Sequence, residues 1–152
     1  MTHDESAKST VAFEGTTPIL RVRSLEQSLA HYVRVLGFHI DWQDTMIASV
    51  SRDRCHIFLS EGDQGNAGGW VWIGVSDAAA LCRELSAKGA NIRHPPTNYR
   101  WALEMQVQDP DGNVLRLGSE PINEDPFGEW LDMNGHRWAM VPGGGWRRLE
   151  PA

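Results

Sequence analysis

The stretch Trp101-Ala-Leu-Glu104-Met-Gln-Val-Gln-Asp109-Pro110-Asp111-Gly112-Asn113-Val-Leu-Arg116-Leu117 decides the fold of this 152-residue chain. Two runs that alternate apolar with polar residues flank a cluster of turn formers. Pro110 fixes its own φ, Gly112 and Asn113 tolerate positive φ, and the Asp109 carboxylate can accept hydrogen bonds from the amides of the turn. The segment therefore predicts a rigid turn between two strands, with Leu115 and Leu117 on one side of the second strand and Arg116 on the other.

Upstream, a repeat is visible. Leu20-Arg-Val22-Arg-Ser24 leads into a helical pattern and then Gly37-Phe-His-Ile40, while Ile73-Gly-Val75-Ser76 leads into a second and then Gly89-Ala-Asn-Ile92. Ser24 and Gln27 form a capping box, and Leu25, Leu29, Tyr32, Val33 and Leu36 fall on one helical stripe that Gly37 ends. The second helix is expected to start at Ser76, to bury Ala78, Leu81, Cys82 and Leu85, and to stop at Gly89. Each copy reads strand, helix, strand and should close with a further pair of strands, giving two βαβββ modules. The expected class is α+β: a curved mixed sheet with the helices outside, followed by a C-terminal β-hairpin extension.

Alternation assigns the sheet faces. In Trp70-Val-Trp-Ile-Gly-Val75, residues Val71, Ile73 and Val75 should pack under a helix, leaving Trp70 and Trp72 on the opposite side. The repeat places Thr17, Ile19 and Arg21 on that opposite side of the first strand, and His56, Phe58 and Ser60 on the same side of their strand. The expectation is one concave surface lined by Trp70, Trp72, Phe58, His56, Arg21 and Arg116.

The run Ser24-Leu-x-x-Ser28-Leu29-x-x-Tyr32-x-x-x-Leu36-Gly37-Phe38, together with Asp109-Pro-Asp-Gly-Asn113, resembles the βαβββ modules of the vicinal oxygen chelate superfamily, which holds glyoxalases, extradiol dioxygenases and bleomycin-resistance proteins. The resemblance covers residues 16–119. It implies four concave positions where metal-using members carry His, Gln or Glu, and these map onto Thr17, Phe58, Trp70 and Arg116. None is a plausible ligand, residues 16–21 and 69–73 contain no His, Asp, Glu or Cys, and a guanidinium would repel a divalent ion. No metal, no cofactor and no metal-dependent activity are therefore expected.

The chain is most similar to the bleomycin-resistance branch. That resemblance implies a homodimer with a groove near the subunit contact, in which Trp70 or Trp72, together with Trp101, stacks on a flat heteroaromatic ligand, Phe58 is a further wall, and Glu104 suits a cationic group. His56 is read as a polar wall residue of the same face. Arg116 and Arg21 complete the candidate set, Arg116 being read either as an anion anchor or as a partner of Glu104. Leu103 and Met105 depart from the Arg and the aromatic that often flank the position of Glu104 in relatives. The resulting reading is sequestration of a small molecule, of the bleomycin type, without catalysis. The competing readings are an enzyme of the same superfamily, working without metal or drawing on His56, Glu104 and His136, and a dimer with a purely scaffolding role.

Composition narrows the remaining classes. A formal charge of -6, from 20 acids against 14 bases, disfavours nucleic acid and favours a cationic partner. No apolar run is long enough to span a bilayer, and residues 1–12 are too polar for a secretory signal, so they are expected to form a flexible arm. Cys55 and Cys82 lack metal-type spacing and are too few for a disulfide scaffold, which fits a reducing cytoplasm. The domain is assigned to residues 13–119, with modules at 16–60 and 69–119, and the extension to 120–152.

In that extension, Glu129-Trp-Leu-Asp-Met-Asn134-Gly135-His-Arg-Trp-Ala-Met-Val141 predicts a hairpin with a type I′ turn at Asn-Gly, and Gly143-Gly-Gly145 a flexible link. Trp130, Trp138 and Trp146 recur every eight residues. A bare hairpin is marginal in water, so these indoles are expected to dock on the body or on a partner subunit, either as a lid over the groove or as an extension of the core.

Overall fold

Helix starts and turns follow the local chemistry. In a computed structural model describing residues 9–151, Ser24 caps helix α1 (Leu25–Arg34), its hydroxyl accepting from the Gln27 amide at 3.2 Å. Asp77, one residue beyond the expected Ser76, caps α2 (Ala78–Ala87). Its carboxylate accepts from the Ala80 amide at 2.9 Å, while the Ser119 hydroxyl takes the Ala78 amide at 3.1 Å. Asp is as good a cap as Ser, and Ser119 fixes which of the two neighbours serves. Residues 1–8 of the expected arm lie outside the described residues, and 9–18 carry no regular structure.

The first module is β1 (Ile19–Arg21), α1, β2 (His39–Gln43), β3 (Ile47–Arg52) and β4 (Cys55–Ser60), paired in the order β1-β4-β3-β2. The second is β5 (Trp70–Gly74), α2, β6 (Asn91–Asn98), β7 (Leu103–Gln108) and β8 (Val114–Ser119), paired as β5-β8-β7-β6. The two sheets are thus built alike, each with one parallel pair and two antiparallel ones. Each helix packs on its own sheet, α1 on β2, β3 and β4, and α2 on β6, β7 and β8. Leu20, Ile57, Leu59, Tyr32, Leu85, Met105, Val107, Leu115 and Leu117 belong to one continuous core, with Val71, Ile73, Val75, Leu81 and Cys82 packed half-buried against it.

The decisive turn is also the seam between modules. The Asp109 carboxylate accepts from the Asp111 and Asn113 amides, both at 2.9 Å, and from the Tyr32 phenol of α1 at 3.0 Å. The buried Asn113 side chain accepts from the Gly69 amide at 2.9 Å and donates to the Arg21 carbonyl at 3.0 Å. Of the two residues expected to tolerate positive φ, Gly112 alone adopts it, at 83°.

The extension forms a third sheet rather than a single hairpin. Strands β9 (Trp130–Leu131), β10 (Arg137–Met140) and β11 (Trp146–Arg148) pair antiparallel around β10. The loop at Asn134-Gly135 is not type I′, which needs positive φ at both positions, because only Gly135 has it. It repeats the hydrogen bonds of Asp109–Asn113 instead. Asp132 O accepts from Gly135 N at 3.1 Å, and the Asp132 carboxylate takes the amides of Asn134 and His136 at 2.9 and 2.8 Å. An Asp at the head of the loop binds those amides only if the chain first makes an ordinary turn, and Gly135 then supplies the left-handed residue. Gly143–Gly145, expected to be flexible, is a closed turn in which Val141 O accepts from Gly144 N and Val141 N donates to Gly145 O, both at 3.0 Å. Among the described residues no helix is long and apolar enough to cross a membrane.

Candidate functional site

The outer face of the second sheet carries Trp70 and Trp72 on β5, Glu104 and Gln106 on β7, and Arg116 on β8, because their neighbours Val71, Met105, Val107, Leu115 and Leu117 turn to the core. Trp72 lies down on this face over two glycines. A Cβ at Gly118 would stand 3.0 Å from Trp72 Cζ2, and one at Gly74 would stand 3.3 Å from Trp72 Cζ3. Only residues without side chains let an indole approach the backbone so closely.

The third sheet docks on this same face. Arg93 and Gln106 hydrogen-bond each other, Gln106 Nε2 donates to Leu131 O at 2.9 Å, and Arg93 reaches Asp132 O. Asn98 exchanges bonds with Ile122 at 2.9 and 3.0 Å, and the Tyr99 phenol donates to Glu129 O at 2.8 Å. These bonds satisfy backbone groups that the extension buries, and they explain why Gln106, Asn98 and Tyr99 are buried although polar. Burial also pushes the Tyr99 phenol up to about 12.

In the third sheet Trp130 faces Trp138, Trp138 faces Arg148, and Met140 faces Trp146 across the strands, so all five share one side. That side meets Trp101, and the result is an aromatic cleft of about 340 Å³ lined by Trp101, Arg116, Trp130, Trp138 and Trp146. Trp101 stacks flat on Tyr99, with centroids 4.8 Å apart and planes at 4°, and meets Trp130 and Trp146 edge-on at 6.3 and 6.0 Å. The Arg116 guanidinium lies 4.7 Å from the ring centre of Trp130. Trp70 joins the group through Trp130 at 6.4 Å. Asp132 holds Trp138 in place by accepting from its Nε1 at 2.9 Å, and that bond, with the amides of His136 and Asn134, depresses the carboxyl to about 2.

Beneath the indoles is an ion pair. Glu104 is only 1 % exposed. Arg116 Nε and Nη2 donate to its two oxygens at 2.9 and 3.0 Å, and Trp101 Nε1 and Trp72 Nε1 also donate to it, the latter at 3.4 Å. Of the two roles open to Arg116 in the sequence, the structure therefore shows the pairing with Glu104. The carboxylate expected to meet a cationic ligand is occupied by four donors of the protein itself.

The remaining candidates stand elsewhere. Phe58 packs edge-on against Trp42 at 5.3 Å, His56 Nδ1 lies 3.3 Å from Asp41, which also accepts from Ser49 and Ser51, and Arg21 Nε donates to Gln64 O at 3.4 Å. Among the described residues no ring contact or hydrogen bond joins this first-sheet group to the tryptophan cleft, and none of the three lines it. His136 pairs with Asp132 at 3.5 Å and does not meet His56 or Glu104. The candidate set read from the sequence omits Trp130, Trp138 and Trp146, for which the eight-residue spacing is the available signal, and Tyr99, which gives none beyond its place two residues before Trp101.

The four positions that the resemblance maps onto metal ligands, Thr17, Phe58, Trp70 and Arg116, offer an ion no carboxylate, imidazole or thiolate. Trp70 presents a ring, Phe58 presents a ring, and Arg116 presents a guanidinium already bound to Glu104. Among the described residues no three His, Cys, Asp or Glu side chains are grouped to hold an ion.

The model of the Glyoxalase/Bleomycin resistance protein/Dioxygenase superfamily matches residues 12–117. Among solved structures, the bleomycin-binding protein from bleomycin-producing Streptomyces verticillus, complexed with copper(II)-bleomycin, is similar at 25% identity, covering 72% of this chain and 98% of that one with a TM-score of 0.63. TnmS3, an antibiotic binding protein from Streptomyces sp. CB03234, is similar at 20% identity, covering 74% and 99% with a TM-score of 0.65. TioX from Micromonospora sp. ML1 follows at 17% identity, covering 71% and 99% with a TM-score of 0.62. No curated protein matches the chain. The matched family segment stops short of the third sheet.

Proposed function

The chain belongs to the glyoxalase/bleomycin resistance protein/dioxygenase superfamily, and from that premise we propose that it binds a small flat molecule in the cleft between its second and third sheets, without metal or cofactor and without transforming it. The observation that carries this reading is the lining: four indoles and one guanidinium around a space of about 340 Å³. Stacked rings give a planar ligand large contact area at low entropic cost, and the fixed polar groups set its orientation. No free carboxylate, thiol or imidazole lines the cleft to act as a nucleophile or base. Sequestration of an antibiotic is the biological form of this proposal, supported by the similarity to a bleomycin-binding protein and to an antibiotic binding protein.

A homodimer is part of the proposal. Ile40, Trp42 and Met46 of the first module are 44, 46 and 46% exposed, and a second copy is the natural cover for them. Sedimentation at micromolar concentration tests it, and a monomer there refutes it.

Tryptophan emission tests the binding. Of the seven tryptophans, all but Trp42 lie in or against the cleft assembly, so the protein's fluorescence reports on this one place. Saturable quenching by bleomycin or another planar heteroaromatic, lost in Trp101→Ala and Trp130→Ala, is the expected result. Absence of quenching at high micromolar bleomycin removes that antibiotic, and absence with every planar ligand removes the function.

A further inference from the structure

The cleft has more donors than acceptors. Arg116 has five N–H groups, of which two are taken by Glu104, and the guanidinium still lines the space between the indoles. Both Glu104 oxygens are spent on the protein. The Asp132 carboxylate is likewise spent, on Trp138 Nε1 and two amides. Arg148 lies directly across from Trp138 on the indole-bearing side of the third sheet, is exposed, and among the described residues makes no ion pair. The other acid near β10, Glu129, faces Arg137 at 3.4 Å. Arg137 alternates with Trp138 and so stands on the far side of that sheet.

We infer that the ligand of this cleft is a planar aromatic anion, a carboxylate, sulfonate or similar group on a fused ring, whose ring lies among Trp101, Trp130, Trp138 and Trp146 and whose charge is met by the unused N–H groups of Arg116 and by Arg148. The inference rests on the binding function proposed above and adds the charge of the ligand to it. It runs against the chain's net charge of -6, which by itself favours a cation. At short range the local donors win: a charge-assisted hydrogen bond to a guanidinium acts at contact, whereas exposed acids more than about 8 Å away are screened at physiological salt. A cation would find its natural partner, Glu104, already neutralised and out of reach.

The test uses two ions of one shape, naphthalene-2-sulfonate and trimethyl(2-naphthyl)ammonium, titrated into the full chain by calorimetry and followed by tryptophan emission. The sulfonate is expected to bind at least about tenfold more tightly, a difference of roughly 1.4 kcal/mol, and its affinity should fall as salt is raised. Arg148→Gln, an exposed substitution, should lower the sulfonate affinity several-fold and should not lower the ammonium affinity, which loses a like charge. Equal or tighter binding of the ammonium ion overturns the anionic assignment while leaving the aromatic cleft standing. A sulfonate preference unmoved by Arg148→Gln overturns the two-guanidinium account. Binding of neither ion overturns the cleft as a binding site, and the charge assignment with it.

Discussion

Arg116 and Glu104 stand diagonally across adjacent antiparallel strands and meet in two hydrogen bonds, Nε to Oε2 at 2.9 Å and Nη2 to Oε1 at 3.0 Å. The carboxylate is 1 % exposed and the guanidinium 28 %. Arg116 of this pair lines the tryptophan cleft, and the carboxylate behind it anchors the indoles of Trp72 and Trp101.

Removing one member leaves the other uncompensated. Glu104→Ala should destabilise the protein by about 3 kcal/mol, the low end of the range for a broken buried pair because Arg116 keeps some access to water. The double variant Glu104→Ala with Arg116→Leu should recover part of that loss, giving a coupling of about 1 to 3 kcal/mol in a double-mutant cycle. Urea unfolding measures both, and strict additivity would show that the pair is not coupled.

Gly118 sits under Trp72 with Ala102 and Glu104 Cβ each 3.3 Å from the space a methyl would take. Gly118→Ala should cost about 1 to 3 kcal/mol through overpacking and shift the emission of Trp72 as its ring is lifted. A substitution with no change in stability or emission would mean that the indole does not rest on the strand.

Asn113 joins the two modules from inside, and Arg23 joins them from outside. Asn113→Ala strands the Gly69 amide and the Arg21 carbonyl and should cost about 3 kcal/mol. Arg23 bonds Asp111 at 2.9 Å with its own side chain 81 % exposed, so Arg23→Ala should cost less than about 1 kcal/mol. Comparing the two urea midpoints tests whether the seam is held by its buried amide or by its surface ion pair.

Both tyrosines should resist alkali. Burial holds Tyr99 up to about 12 and, with Asp109 beside it, holds Tyr32 well above the ordinary value of 10. An acid whose pKa is raised on folding favours the folded state below its unfolded pKa, and that contribution is lost as pH climbs through the folded value. The contribution of the two phenols to stability should therefore be flat up to pH 10, and that of Tyr99 should be lost between pH 10 and about 12. Tyrosinate absorbance at pH 10.5 should stay far below that of the unfolded chain, and normal ionisation there would contradict the burial of both phenols.

Much of the molecule is dictated by neighbours in the chain. Ser24 with Gln27, the apolar stripe of α1, the alternation through Trp70–Val75 and the turn at Asp109–Asn113 each involve residues within a few positions of one another, and their chemistry determines helix, strand and face directly. The eight-residue spacing of Trp130, Trp138 and Trp146 likewise marks three indoles that must dock, without saying where. Where the local rule admitted two answers, the tertiary structure chose. Asp77 rather than Ser76 caps α2 because Ser119 meets the Ala78 amide, and Asp132 turns Asn134-Gly135 away from a type I′ loop. The placement of the third sheet depends on Asn98, Tyr99, Arg93 and Gln106 reaching residues 24 to 39 positions away. No periodicity encodes such pairings. For the same reason the sequence could line up six candidate side chains on one sheet face, yet only the packed chain separates Arg21, His56 and Phe58 from the tryptophan cleft. It also commits Glu104 to Arg116, since a buried carboxylate must take the donors that folding brings to it.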